Sequence, residues 1–209
     1  MQLEEKAFIV FLAIIIGMTL ISLVYALFLK EQLRKLKVGN SKIEEISSYI
    51  REGTLAFIKK EYKIIAIFIL GIAAVLALLG LIPALRNAEG VGWKSALCFI
   101  LGATCSGLAG FVGMTAGIKA NGLTASAANT SGMGKALKTA FSGGAVMGLS
   151  VVGFGLFGLT ASFLVLYLTS GDLKAAGQIV IGYGLGASLV ALFARVGGGI
   201  YTKAADVGA

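Results

Sequence analysis

The feature that most constrains this chain is the stretch from Ala7 to Leu29, which holds no charged side chain at all. A helix needs about 20 apolar residues to cross a hydrocarbon core roughly 30 Å thick, and this stretch is long enough. Four more stretches of the same character follow, at about 64–81, 95–118, 140–168 and 178–209. The second is closed by Pro83, which cannot continue a helix cheaply. The fifth passes Phe193 into a polar, glycine-marked end. The pattern predicts an all-α fold, a polytopic transmembrane helix bundle of five spans within one membrane domain. Charged residues make up only 13% of the chain and mean hydropathy is +0.92, whereas ordinary globular proteins carry about a quarter charged residues. Glu4 and Glu5 precede the first run, where a signal peptide would carry basic residues and a shorter apolar region. The first span is therefore read as retained, with an uncleaved signal anchor as its near relative.

The remaining composition removes several chemistries. With no histidine, His-based triads and His ligands for zinc or haem are excluded. Cys98 and Cys105 can build neither a disulfide scaffold nor a four-thiolate site. Seven residues apart in an apolar run, they share a helix face and read as small core residues. The formal charge of +8 does not imply nucleic acid, because the basic residues gather beside apolar runs. Half of the 18 Lys and Arg residues lie between Lys30 and Lys63, and Lys119, Lys135, Lys138, Arg195 and Lys203 fall on the same side of the predicted bundle. Lys6, Arg86, Lys94 and Lys174 are left for the other side. Basic residues accumulate in cytoplasmic loops, so the N-terminus is expected outside and the C-terminus of the chain inside. A basic, disulfide-free chain with no evident transit peptide suggests a prokaryotic plasma membrane.

Glycine is unevenly placed. Only seven of the 30 glycines precede residue 101. The early spans, rich in Ile, Leu and Phe, suit a lipid-facing position. The later ones carry small residues at close spacing, such as Gly107, Gly110, Gly113 and Gly117, then Gly143, Gly144 and Gly148, then Gly182 and Gly186. Small residues let helix backbones approach where lipid supplies no hydrophobic drive, so these spans predict a tightly packed bundle. Between the first two spans, Ile43, Ile46, Tyr49, Ile50, Leu55 and Phe57 recur at a nearly helical spacing among charges. This segment reads as an amphipathic helix packed on the cytoplasmic membrane face. The stretch SGMGKALKT is not a phosphate-binding loop: Asn129 stands where the first glycine belongs and Ala136 where Ser or Thr belongs. It is the glycine-marked entry to the fourth span.

The most informative stretch is ALFARVGGGIYTKAADVGA, from Ala191 to Ala209. If helix continues through Gly197–Gly199, Arg195 and Asp206 lie about 20° apart in direction, and Lys203 about 80° from Arg195. The rise places Lys203 about 12 Å and Asp206 about 16 Å beyond Arg195. All three could then face one cavity. Asp206 can hold a hard divalent cation such as Mg²⁺, the usual partner of phosphate oxygens. Lys203 can neutralise phosphate charge, and a metal- or carboxylate-activated water can attack phosphorus. Arg195 sits deeper, where an ionisable group is costly unless paired. By spacing alone, two plainer readings stand beside this one: Arg195 as an interface anchor snorkelling to headgroups, and Lys203–Asp206 as an ordinary pair on a solvated helix end.

FARVGGGIYTKAADVGA resembles the fifth-helix motif of the membrane-bound, ion-translocating inorganic pyrophosphatases. Supporting stretches are SGLAGFVGMTAGIKANGLTASAA (Ser106–Ala128), GKALKTAFSGGAVMGLSVVGFGLFGL (Gly134–Leu159) and, in the first loop, EEISSYIREGTLAFIKKEY (Glu44–Tyr62). The resemblance covers the whole chain, most closely from about residue 100. It implies a homodimer of sixteen-helix subunits with two concentric rings, the fifth helix in the inner one, that couples hydrolysis of magnesium pyrophosphate to translocation of H⁺ or Na⁺. By position, Asp206 matches an aspartate that helps bind Mg²⁺–pyrophosphate, and Lys203 a lysine that contacts the substrate. Arg195 matches an arginine of the ion gate. K⁺ dependence, the pumped ion and the general base are set elsewhere in the family's sequence, so no catalytic residue is assigned here.

In the family the motif runs on to a second aspartate four residues after the first. This chain ends at Ala209, one residue short of it. It is read as an N-terminal portion, about a third of a family member, expected to hydrolyse nothing alone. The alternative is a non-enzymatic membrane subunit or small transporter whose C-terminal charges only anchor a helix end. A third reading, an anion-binding module on the basic face, predicts salt-sensitive binding without magnesium.

Overall fold

The computed structural model of the protein describes residues 2–83 and 90–208. These fold into five long helices: α1 (Gln2–Lys35), α2 (Ser41–Leu79), α3 (Trp93–Ser131), α4 (Met133–Ser170) and α5 (Leu173–Gly208). Each is long and apolar enough to cross a membrane. The first, third and fourth expected spans lie inside α1, α3 and α4. The second overruns α2 by Gly80 and Leu81, and the last residue of the fifth, Ala209, lies outside the described residues, as does Arg86.

Local chemistry sets the ends of the helices. The Asn40 side chain caps α2, its Oδ1 accepting from the Lys42 amide at 2.9 Å. Asp172 does the same for α5, accepting from the amide of Lys174 at 2.8 Å. α2 stops at Leu79, shortly before Pro83. α3 and α4 are joined by the single residue Gly132, whose φ of 82° an L side chain would resist. That corner is the structural meaning of the glycine-marked entry in SGMGKALKT.

α3 is the central helix, packed on α4, α5 and α2, while α1 lies mainly against α4. The closest seam is α3–α5. A Cβ at Gly102 would overlap the Tyr183 carbonyl, and one at Gly186 would overlap that of Phe99. The two backbones therefore touch, as expected for helices drawn together by small residues in lipid. Tyr183 ties in the third member: its ring covers Gly158, and its hydroxyl donates to the Phe154 carbonyl of α4 at 2.9 Å. Cys98 is buried and Cys105 half-buried, both beside Ile179 and Tyr183, in the core role expected of them. α1 shows the opposite character. Val10, Ile14, Met18, Ile21 and Val24 are exposed, in keeping with a lipid-covered helix.

One expectation needs correction. Residues 41–60 do not form a separate helix lying along the membrane face; they run without a break into the second span as the first half of α2. The only glycine between Ser41 and Ile64 is Gly53 and there is no proline, so nothing interrupts the backbone ladder. At 39 residues, α2 is about 58 Å long. Roughly half of it must stand beyond a 30 Å hydrocarbon core, packed against the corresponding extension of α5.

Candidate functional site

The structure settles the condition on which the reading of the last helix depended. α5 is unbroken from Leu173 to Gly208, straight through Gly197–Gly199. Its packed side is defined by contacts. Val190 and Phe193 join Ile65 and Ala103 in a core cluster, and the Phe193 ring lies 5.1 Å from that of Phe68. Further along, Gly197 receives Glu61 and Phe57, and Tyr201 meets Phe57 at 5.1 Å between ring centroids. The Tyr201 hydroxyl lies 3.0 Å from Thr54 Oγ1. Thr54 already spends its proton on the Ile50 carbonyl at 2.7 Å, so Tyr201 is the donor between them.

These partners fall four residues apart on α5 and mark one side of it. Taking Gly197 as reference at 100° per residue, Arg195 stands about 160° around the helix, Asp206 about 180° and Lys203 about 240°. The three predicted residues share the side of α5 turned away from α2. All three are exposed in this chain. Lys203 Nζ and Asp206 Oδ2 pair at 3.5 Å with side chains 83% and 69% exposed, a contact worth little by itself. Arg195 makes no ion pair among the described residues. None of the three lines either cavity found between α1, α2 and α3.

For a divalent cation the chain offers one hard oxygen donor here. Among the described residues no group of three or more His, Cys, Asp or Glu side chains could enclose a metal. A single carboxylate still fits Mg²⁺, which keeps several waters and commonly takes only one or two carboxylates besides phosphate oxygens.

Sequence reasoning missed Glu61. Among Lys59, Lys60 and Lys63 it looks like a solvated charge, yet it is 9% exposed and neither oxygen has a partner among the described residues. Its carboxylate fills the notch left by the absent side chain of Gly197. A signal was available: Thr54, Ile58, Glu61 and Ile65 follow the spacing of one buried helix stripe.

The fold and this charged helix end define a class, a polytopic helical membrane protein with a polar extension on its most glycine-rich helix. Comparison with known proteins resolves the class further. The family model described as "Inorganic H+ pyrophosphatase" matches residues 20–209, and the chain belongs to that family. A protein of Methanosarcina mazei named K(+)-insensitive pyrophosphate-energized proton pump is 46% identical over 190 residues, covering 91% of this chain and 26% of the relative. One of the same name from Caldanaerobacter subterraneus subsp. tengcongensis is 39% identical over 203 residues, covering 94% and 28%. The K(+)-stimulated pyrophosphate-energized sodium pump of Thermotoga maritima is 41% identical over 186 residues, covering 82% and 24%. The chain thus spans about a quarter of the length of the curated relatives it matches, less than the third expected from the motif.

Proposed function

We propose that the chain is the N-terminal portion of a pump that couples hydrolysis of inorganic pyrophosphate to translocation of H⁺ or Na⁺, working as a homodimer of sixteen-helix subunits. The observation that carries this is the placement of Arg195, Lys203 and Asp206 on one side of α5, opposite the side clamped by α2. Charges that served only to anchor a helix end would gain nothing from a shared direction over about 16 Å of rise. Both ions stay open because relatives named as proton pumps and as sodium pumps both match, at 46% and 41% identity. K⁺ dependence stays open for the same reason, since the names divide into K⁺-insensitive and K⁺-stimulated.

In this reading the unbroken α5 carries a vestibule wall from the bilayer into the cytosol, with the N-terminus of the chain outside, in a prokaryotic plasma membrane. Asp206 gives a carboxylate oxygen to Mg²⁺, which when bound neutralises phosphate oxygens and makes phosphorus more electrophilic. Lys203 offers a compact positive charge to the phosphate oxygens, exchanging its surface pair with Asp206 for a desolvated contact. Arg195, about eight residues deeper, stands where a permanently charged guanidinium pairs with acidic groups on other helices and controls ion passage.

The test is phosphate release from magnesium pyrophosphate by the protein expressed from its complete reading frame and purified in detergent. Asp206→Asn is expected to lower kcat/KM by about 100-fold, and Lys203→Ala to raise KM by about tenfold, the scale of one lost charge-assisted contact. The 209-residue chain alone is expected to release no phosphate above background. Absence of phosphate release by the full-length protein would favour the alternative, a non-enzymatic subunit or small transporter, and undiminished turnover in both variants would remove Lys203 and Asp206 from the site.

A further inference from the structure

A second polar feature lies away from α5. α1 and α2 are consecutive helices, yet among the described residues they do not pack on each other. Between them, floored by α3, is a cavity of about 520 Å³. Its lining is both apolar and basic. Leu33, Leu55, Phe111 and Ala116 supply apolar surface, and Lys30 and Arg34 from α1, Arg51 from α2 and Lys119 from α3 supply positive charge. Glu44 is the only carboxylate in the lining. Arg34 is engaged by Glu31 at 3.2 Å, but Lys30, Arg51 and Lys119 have no ion pair among the described residues.

The depth of the cavity is as informative as its charge. Lys30 directly follows the uncharged run Ala7–Leu29, and Lys119 directly follows the apolar run ending at Ile118. Lys30 and Lys119 therefore sit at the edge of the hydrocarbon, on the side of the bundle that carries most of the basic residues. Phe111, eight residues before Lys119, lies about 12 Å deeper, and Ala116, three residues before it, about 4.5 Å deeper. A soluble anion would satisfy the cations and leave the apolar surface uncovered. An acyl chain alone would cover that surface and leave three cations unpaired. A ligand with a phosphate joined to a hydrocarbon tail satisfies both, and basic pockets between transmembrane helices bind anionic headgroups on this principle. The volume lies within the range of about 300–1,000 Å³ usual for specific small-molecule sites.

We propose that this cavity binds one anionic phospholipid of the leaflet on the basic side of the membrane. Its phosphate is held by Lys30, Arg51 and Lys119, and an acyl chain lies against Phe111 and Ala116. The lipid replaces the missing α1–α2 contact and so fixes the start of α2, whose other side clamps α5. The site does not depend on the hydrolytic reading, because it shares no residue with Arg195, Lys203 or Asp206.

The experiment is native mass spectrometry of the protein from its complete reading frame, delipidated and then titrated with phosphatidylglycerol, phosphatidylcholine or inorganic phosphate. One phosphatidylglycerol is expected to be retained at least tenfold more tightly than phosphatidylcholine, and millimolar inorganic phosphate is expected not to displace it. Combining Lys30→Gln, Arg51→Gln and Lys119→Gln should weaken retention about 100-fold, at about fivefold per cation removed. Lys135→Gln with Lys138→Gln, outside the lining, should leave it unchanged. Leu55→Trp, which fills the cavity without altering charge, should expel the lipid, and the charge-conserving set Lys30→Arg, Arg51→Lys and Lys119→Arg should keep it. Equal retention of the two lipids, retention by the glutamine triple variant or by Leu55→Trp, or displacement by inorganic phosphate would overturn the proposal.

Discussion

Glu61 and Gly197 show how much can rest on one pair of positions. A carboxylate taken out of water without a donor is expensive when charged. Glu61→Gln, which carries no charge to bury, is therefore expected to raise the thermal unfolding midpoint by a few degrees at pH 8. Unfolding curves in detergent check this; a midpoint lowered at pH 8 would mean that the carboxylate is charged and paired in the assembled protein. The sequence shows why the residue is easily misread. The lysines around Glu61 point to solvent at helical spacing, while the stripe of Thr54, Ile58 and Ile65 carries it inward.

At the scale of helices, the decisive element is the α3–α5 seam. Gly182 and Gly186 were legible as packing glycines, but spacing could not say which helix they would meet, because every later span is rich in small residues. The structure pairs them with the backbone of Ser95 and Phe99. A carbonyl in a helix cannot rotate out of the way as a side chain can. Gly186→Val is therefore expected to cost about 1–3 kcal/mol or more, the scale of core overpacking, and to reduce the yield of monodisperse protein on size-exclusion chromatography. Gly184, two residues away, has no atom within 4 Å of where a Cβ would stand. Gly184→Ala should stay within about 0.5 kcal/mol of the parent. If the two variants behave alike, the seam is not where the helices are held.

For the whole molecule, the physical quantity that matters is the separation of charge across the bundle. Together, the ends of α1 and α3 and the starts of α2 and α4 place most of the lysines and arginines on one side of the membrane, and the C-terminal extension of α5 joins them there. In a Cys98→Ala, Cys105→Ala background, Lys37→Cys is expected to react with a membrane-impermeant maleimide only after cells are opened, and Asp172→Cys in intact cells. The reverse pattern would invert the topology and place the α5 charges outside. The same arrangement makes the helices longer than a bilayer requires. The excess length forms the polar body in which Lys203 and Asp206 stand.

By itself the sequence determined five membrane helices, their alternation across the bilayer, the family, and the identity of the charges on the last helix. Those properties depend on run length, charge placement and motif, which are local along the chain and read the same whatever the neighbours do. Only the tertiary structure decided that residues 41–60 continue the second span, that a buried acid packs into the glycine run on the side of α5 opposite Arg195, and that a basic cavity separates α1 from α2. Each of these depends on which helix lies against which. With small residues available on several faces, that choice is made by the fit of whole helices to one another.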